Sequence, residues 1–256
     1  RVALFGGEMY ADYRTVSMFQ CIPLPDATAS EDGASCFVNP MTALGFVETM
    51  KMEGHKAIVH TAAASNLGQM LNRICLSDGV PLVNIVRSED QVALLKAEGA
   101  VHVVNSSDAD FSDQLAVAVN ATGATLAFDA IGGGKLGNAI LMAMEAAAVK
   151  RLSEWSRYGS NEFKQLYIYG ALDLAPTSLN RGYGFSWGIG GWLLTPFMVK
   201  AGREVVDRMQ ARVVAELTST FASSYSDRIS LVESVTPSAG AKYGVRRTGQ
   251  KALITF

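Results

Sequence analysis

From residue 57 onward, short apolar segments alternate with longer amphipathic ones, and this alternation limits the fold more than any other feature of the sequence. The apolar segments predict strands at 57–60, 82–86, 101–104, 125–128, 165–169 and 185–189. Helices are predicted between them at 69–77, 88–99, 111–119 and 135–151, the second of which begins with a capping box of Ser88 and Gln91. Continuous apolar strands separated by helices are typical of a parallel sheet covered on both faces. The sequence therefore predicts an α/β fold with a doubly wound, six-stranded parallel (Rossmann) sheet, whose ligand binds at the carboxyl ends of the strands.

Composition and charge exclude several classes of protein. The chain has 256 residues, of which 49% are hydrophobic and 18% charged, and its net charge is −2. It lacks a long run of Lys and Arg, so we expect no nucleic-acid or membrane partner. The most apolar stretch, 185–199, is too short to cross a bilayer. Cys21, Cys36 and Cys75 are odd in number and far apart, which argues against disulfides and favours a cytoplasmic protein.

The turn after the first predicted strand has the sequence HTAAASNLGQ (60–69). In a dinucleotide-binding fold this turn presents backbone N–H groups and a helix N-terminus to a pyrophosphate, and it normally contains three glycines. Here Ala63 and Ser65 take the first two glycine positions and only Gly68 is kept, while Ser65 and Asn66 can donate hydrogen bonds to phosphate. The turn by itself fits equally well an Ala-rich connection in which Ser or Asn caps the helix.

Arg87 lies nineteen positions beyond Gly68, at the end of the second predicted strand. A carboxylate at this place binds a free ribose 2′-hydroxyl, whereas a cation binds a 2′-phosphate. Arg87 therefore favours NADPH over NADH, and it disfavours an S-adenosylmethionine methyltransferase, which needs an acidic residue there. The alternative is a surface arginine that pairs with Glu89 or Asp90.

Four segments carry a resemblance to a known family. They are NPMTALG (39–45), HTAAASNLGQ (60–69), FDAIGG (128–133) and GQK (249–251), in this order along nearly the whole chain. On these segments the chain is identified as a member of the medium-chain dehydrogenase/reductase superfamily, and it resembles the zinc-independent branch of NADPH:quinone oxidoreductases and 2-enoyl thioester reductases. The family implies that residues 1–38 end an N-terminal catalytic segment of which the rest is absent, that 39–221 form the NADPH-binding Rossmann domain, and that 222–256 return to the β-rich catalytic domain.

The resemblance also implies a set of cofactor-binding positions. Thr42 matches a residue beside the nicotinamide, Arg87 matches the 2′-phosphate site, and Asn105 matches a residue beside the adenine. Gln91 replaces a lysine that often joins the 2′-phosphate site, and Ser106 replaces a tyrosine beside the adenine. The full set of implied cofactor-binding residues is Thr42, Ala64, Ser65, Asn66, Leu67, Arg87, Asn105, Ala130, Ile131, Tyr169, Gly170, Leu172 and Lys251.

For part of this set, structural roles without cofactor binding remain alternatives. Gly132 to Gly134 can be no more than a turn and helix cap, and Arg246, Arg247 and Lys251 can be a solvated basic edge. The three histidines, His55, His60 and His102, have no Ser, Cys or carboxylate at a useful spacing, so we expect structural roles for them.

The function that the resemblance implies is reduction of a quinone or an activated alkene such as an enone, by hydride from NADPH and without a metal ion. One alternative is a reductase of 2-enoyl thioesters of coenzyme A or acyl carrier protein, because Ser65 resembles that branch. Another is an NADPH-binding protein without turnover, because no acid–base pair is visible. The resemblance assigns no catalytic residue, since the family's substrate-facing residues lie in the absent segment. The predicted strand Phe185 to Ile189 resembles the edge strand through which family members form homodimers.

Overall fold

A computed structural model of the chain describes residues 1–244 and 251–256. It divides into two compact units, one formed by Arg1–Thr42 with Ala201–Phe256 and the other by Ala43–Lys200. These limits differ from the predicted ones, because residues 39–42 and 201–221 group with the chain ends and not with the predicted Rossmann domain. The catalytic role that the resemblance gives to the terminal unit stays a prediction.

The elements are numbered in chain order. The strands are β1 Val2–Leu4, β2 Cys21–Pro23, β3 Ile58–His60, β4 Leu82–Val86, β5 His102–Asn105, β6 Leu126–Asp129, β7 Gly132–Gly134, β8 Lys164–Ile168, β9 Asp173–Thr177, β10 Trp187–Gly191, β11 Asp227–Ser230 and β12 Ala252–Thr255. The helices are α1 Ser30–Gly33, α2 Val38–Met52, α3 Asn66–Asp78, α4 Glu89–Ala97, α5 Phe111–Thr122, α6 Leu136–Lys150, α7 Leu194–Ala201, α8 Arg203–Ala215, α9 Leu231–Ser234 and α10 Pro237–Tyr243.

The unit Ala43–Lys200 is built on a six-stranded sheet in the order β10-β8-β6-β3-β4-β5. Every pair of neighbours in it is parallel. The direction in which strands are added reverses between β3 and β6, which makes this the switch point where doubly wound sheets bind ligands. His60 pairs with Phe128 across the switch point, so the carboxyl ends of β3 and β6 lie side by side. The predicted fold class is confirmed.

The sheet is buried because helices cover both faces. All five residues of β4 are buried, and Val83 and Ile85 belong to one apolar cluster with Leu115, Ile140 and Leu166. Full burial of each such side chain contributes roughly 1.5–3 kcal/mol. The continuous apolar strands seen in the sequence follow from this two-sided burial.

The predicted helices and strands of this sheet lie within three residues of the observed ones. The predicted capping box at Ser88 is wrong. Ser88 is the N-cap of α4, but its side chain makes no capping hydrogen bond, and the Gln91 side chain accepts from the N–H of Arg87 instead. The backbone of Ser88 is fully extended (φ −157°), whereas Ser65, which does cap α3, has φ −65°. The extended backbone places the Ser88 hydroxyl away from the first turn of the helix.

The terminal unit holds two small sheets. Strands β1 and β2 are antiparallel, and β11 and β12 are parallel. Both sheets lie within residues 1–38 and 222–256, the ranges that the resemblance assigns to the β-rich catalytic domain. Within the described ranges, no helix combines the length and apolar character needed to cross a membrane.

Candidate functional site

A buried hydrogen-bond network joins the carboxyl ends of β3 and β6. Asp129 accepts through Oδ1 from the Thr61 hydroxyl at 2.7 Å and from the N–H of Ile131 at 2.9 Å, and through Oδ2 from the N–H of Gly132 at 3.1 Å. The Thr61 hydroxyl accepts in turn from the N–H of Ala130 at 2.8 Å. Three consecutive N–H groups after β6 therefore have partners inside the protein, and the loop that they belong to is fixed at the switch point.

The loop after β8 packs directly on the loop after β6. The N–H of Leu172 donates to the carbonyl of Ala130 at 3.1 Å. A Cβ on Gly170 would lie 2.7 Å from the Ala130 oxygen, and one on Gly132, which has φ 78°, would lie 2.8 Å from the Gly170 oxygen. Backbone contact this close admits only glycine at both places. Just beyond it, β7 and β9 form a parallel two-stranded ladder, so Gly132 to Gly134 are more than the turn and helix cap considered above.

The turn between β3 and α3 is narrow and consists of small residues. Ala62 has φ 50°, a left-handed conformation that costs a residue other than glycine about 1–2 kcal/mol. A Cβ on Gly68 would lie 2.1 Å from the carbonyl oxygen of Ala63, so only glycine lets α3 begin this close to the turn. The position that needs left-handed backbone is thus Ala62, one residue before the first glycine position assigned from the sequence.

This turn can bind an anion and cap the helix at the same time. The Ser65 hydroxyl accepts from the N–H of Gly68 at 3.2 Å and so caps α3, while its own hydrogen has no acceptor in the described part of the chain. The Gln69 side chain donates to the carbonyl of Ala64 at 2.9 Å and holds the turn against the helix. The N-terminus of α3, at Asn66 and the residues after it, adds N–H groups and partial positive charge. The two sequence interpretations of the turn are therefore compatible.

Arg87 follows β4 directly, and its side chain is exposed. Its backbone is held on both sides, because its N–H donates to Gln91 Oε1 at 3.0 Å and its carbonyl accepts from the Ser107 hydroxyl at 2.9 Å. Among the residues that the structure describes, no carboxylate pairs with the Arg87 guanidinium. The alternative pairing with Glu89 or Asp90 is not formed, and the charge of Arg87 is available to a ligand.

Asn105 ends β5 and is buried. Its amide nitrogen donates to Glu89 Oε1 at 2.9 Å and to Asp108 Oδ1 at 2.8 Å, while its oxygen accepts from the N–H of Ser107 at 3.1 Å. Both amide hydrogens are thus used within the protein. Asn105 ties the loop after β5 to the first turn of α4, and it has no free donor for an adenine ring.

The buried His60 and the partly buried Tyr169 form a second pair at this edge of the sheet. Nε2 of His60 lies 2.7 Å from the Tyr169 hydroxyl, and the two rings are stacked with centroids 5.8 Å apart. Phe46, on α2, contacts both rings. Burial lowers the pKa of His60 to about 3, so the imidazole is neutral, and burial followed by the charge of Asp129 raises the pKa of Tyr169. The sequence offered no partner for His60, because the two residues are 109 positions apart.

No protein-family model matches the chain. Solved structures do match it along nearly its whole length. A candidate NADPH:quinone reductase from Mesorhizobium loti is 28% identical with a TM-score of 0.75, and the match covers 93% of this chain and 64% of that protein, slightly less than two thirds.

Two further matches differ in their stated ligands or activities. A mycobacterial protein in complex with NADPH is 18% identical (TM-score 0.64, covering 93% of this chain and 68% of that one). A mutant enoyl thioester reductase from Candida tropicalis is 17% identical (TM-score 0.65, covering 92% and 66%). The chain has the fold of the quinone oxidoreductase-like branch of the medium-chain dehydrogenases/reductases. The resemblance inferred from the sequence is confirmed at the level of the fold.

Within this medium-chain dehydrogenase/reductase fold, two of the implied cofactor-binding residues lie outside the sheet unit. Thr42 is a buried residue of α2, and Lys251 lies in the terminal unit with its Nζ 5.1 Å from the centre of the Tyr225 ring. Partial burial lowers the pKa of Lys251. Arg246, Arg247, Gly249 and Gln250, which entered the sequence predictions, lie outside the described residues.

Several residues that shape the site were not assigned from the sequence. Thr61, Ala62, Gln69, Ser107 and the His60 pairing hold the turn, the loops and Arg87 in place. A usable signal existed only for His60 and Thr61, which are polar residues at the end of an apolar strand. Among the described residues, no group of three or more His, Cys, Asp or Glu side chains is arranged to hold a metal ion.

Proposed function

We propose that this chain binds NADPH along the carboxyl edge of its six-stranded sheet and transfers hydride from it to a quinone or an activated alkene. One observation carries the proposal: the capped N-terminus of α3 lies at the switch point, and the unpaired Arg87 stands at the end of the neighbouring strand β4. A helix N-terminus suits a pyrophosphate, and a cation beside it suits a ribose 2′-phosphate.

The residues of the turn fit the pyrophosphate. The N–H groups of Ala64, Asn66 and Leu67, with the hydroxyl hydrogen of Ser65, are its proposed donors. Gly68 keeps the helix close enough for these groups to point at one anion, because any side chain there would push α3 away from Ala63. Arg87 binds the 2′-phosphate through its guanidinium fork, a charge-assisted contact stronger than a neutral hydrogen bond.

The nicotinamide half belongs on the other side of the switch point, above β6 and β8. The loop residues Ala130, Ile131, Gly170 and Leu172 form its floor in this proposal. Asn105 shapes the adenine side without a hydrogen bond to the base, since its amide hydrogens are already used. Thr42 and Lys251 are assigned to the nicotinamide and a cofactor phosphate on the family resemblance alone.

NADPH, when bound, would supply the hydride, and the residues of the chain would orient the cofactor and the substrate. The buried Thr61–Asp129 network fixes the loop after β6, which would lie under the nicotinamide and would orient its ring. Neither Asp129 nor His60 is placed for acid–base chemistry, because Asp129 already accepts from three donors and His60 is buried and neutral. Reduction of a quinone or an enone agrees with such a site, since the electrophile is already activated.

A second candidate, reduction of 2-enoyl thioesters, is favoured by the Ser65 cap in the phosphate turn and by the structural match to an enoyl thioester reductase. The test is the rate of NADPH oxidation with a panel of quinones, simple enones and crotonyl thioesters. Fastest turnover of a quinone or enone supports the first proposal, and a clear preference for the thioester supports the second. Tight NADPH binding without oxidation of any of them would identify a binding protein, and absence of NADPH binding refutes all three.

We also propose a homodimer that forms through β10. Strand β10 is at the edge of the sheet; Phe185, just before it, is 85% exposed and Ile189, within it, is 37% exposed. An open edge with apolar side chains is stabilised when another strand pairs with it. Light scattering at micromolar concentration checks this, and a monomer there contradicts it.

A further inference from the structure

The buried His60 has one nitrogen that makes no hydrogen bond. Its side chain is 0% exposed, Nε2 is 2.7 Å from the Tyr169 hydroxyl, and Nδ1 has no partner. A neutral imidazole carries its proton on one nitrogen only, so the structure permits two arrangements. In one, Nε2–H donates to the tyrosine oxygen and Nδ1 is a bare lone pair. In the other, the tyrosine donates to Nε2 and Nδ1–H is buried without an acceptor.

Burial decides between these arrangements. An N–H donor without an acceptor in an apolar environment loses its whole hydration energy, and buried N–H groups without partners are rarer in proteins than under-satisfied acceptors. The rings that contact His60 are those of Phe46 and Tyr169, which supply no acceptor for Nδ1–H in the plane of the imidazole. The Nε2–H tautomer is therefore favoured, and Tyr169 accepts from His60.

The hydroxyl hydrogen of Tyr169 then has no acceptor within the described part of the chain. In the described part of the chain, His60 is the only hydrogen-bond partner of the Tyr169 hydroxyl. The other polar side chains at the ends of β3 and β6 are bonded to one another and to the backbone, since Thr61 donates to Asp129 and Asp129 accepts from three donors. Tyr169 is thus a neutral donor without an acceptor, directly after β8.

The position of Tyr169 indicates which ligand group it meets. With the phosphates at α3 and Arg87 on the β4 side, a dinucleotide that crosses the switch point places its other half above β6 and β8. Of the groups in that half, the carboxamide oxygen is the strongest neutral acceptor. We infer that His60 is a positioning residue that turns the Tyr169 hydroxyl outward, and that Tyr169 donates a hydrogen bond to the nicotinamide carboxamide. This inference rests on the proposed function and adds a nicotinamide-specific contact to it.

The experiment compares two ligands on the same variants. NADP⁺ contains the carboxamide, whereas 2′-phospho-ADP-ribose has the same phosphates and lacks the nicotinamide. Tyr169→Phe keeps the ring and removes the donor, so we expect NADP⁺ to bind about 3- to 10-fold more weakly, the range for one neutral hydrogen bond, and 2′-phospho-ADP-ribose to bind as before. Tyr167→Phe is the matched control, since Tyr167 lies two residues earlier, in β8, and donates to Glu53 instead. It should change neither affinity.

Two further measurements separate positioning from packing. In ¹⁵N spectra of the wild type, His60 should be the Nε2–H tautomer. His60→Gln can still donate to Tyr169 and should keep the NADP⁺ affinity, whereas His60→Leu should lose as much as Tyr169→Phe. An Nδ1–H tautomer, an unchanged NADP⁺ affinity in Tyr169→Phe, or equal losses for both ligands would overturn the inference. If 2′-phospho-ADP-ribose fails to bind the wild type, the proposed function fails instead, so the two failures are distinguishable.

Discussion

Replacing Gly68 by alanine tests how closely α3 must approach the turn. The new methyl group would lie 2.1 Å from the Ala63 carbonyl oxygen and 2.5 Å from its carbonyl carbon. To reach an ordinary contact of 3.4 Å, the helix and the turn must separate by about 1.3 Å. These atoms are backbone at the start of a thirteen-residue helix, so no side chain can rotate out of the way. Overpacking of this kind costs about 3 kcal/mol or more of unfolding free energy.

The usual effect of replacing glycine by alanine in a helix provides a reference for this substitution. Glycine to alanine inside an exposed helix normally stabilises by about 1 kcal/mol, so a loss of stability isolates the clash. Gly191→Ala, at a site with no atom within 4 Å of the added Cβ, is the control and should stay within about 0.5 kcal/mol of wild type. Urea unfolding measures both variants, and an NADPH titration should show at least a 10-fold loss of affinity for Gly68→Ala alone. A Gly68→Ala protein as stable as Gly191→Ala would refute the assigned geometry.

Two other substitutions test the buried polar groups at the sheet edge. The pKa of His60 is lowered from 6.5 to about 3, so the unfolded chain binds a proton that the folded chain refuses, and stability should fall by about 1.4 kcal/mol per pH unit as the pH drops from 6.5 toward 3. His60→Gln removes this pH dependence. The unfolding free energy of the variant minus that of the wild type should therefore increase by about 2 kcal/mol when the pH is lowered from 7 to 5. A difference that is the same at both pH values would contradict the burial of a neutral imidazole. Asp129→Asn turns an amide N–H toward one of the three donors that the carboxylate now accepts, which should cost about 1–3 kcal/mol in urea unfolding. The exposed Asp90→Asn is its control, and equal effects of the two would count against the network.

The sheet was predictable because its central strands β3, β4 and β6 are buried on two faces and therefore appear in the sequence as continuous apolar runs. Strands β7 and β9 were not, since three glycines and the exposed segment Asp173–Thr177 have no strand pattern of their own. They pair because the loops after β6 and β8 meet at backbone distance. That contact arises from the order of the strands in the sheet, and no local sequence pattern predicts it.

The positions of the turn between β3 and α3 and of Arg87 at the end of β4 were also predictable, because residue type and spacing determine them, whereas their roles stay predictions. The left-handed Ala62 was not, because alanine carries no preference for that conformation. Helix caps, too, could not be predicted from residue type alone. A capping box does form at Ser230 and Glu233, where φ of Ser230 is −73°, whereas no capping hydrogen bond forms at Ser88, where φ is −157°.

The central claim is that this chain holds NADPH with the 2′-phosphate on Arg87. Its most direct test is the dissociation constants of NADPH and NADH for the wild type and for Arg87→Ala. We expect the wild type to bind NADPH at least 10-fold more tightly than NADH, and Arg87→Ala to lose most of this preference while its NADH affinity stays the same, since one charge-assisted contact is worth about 1.5–3 kcal/mol. An NADPH preference that is unchanged in Arg87→Ala, or a wild type that binds neither nucleotide, would contradict it.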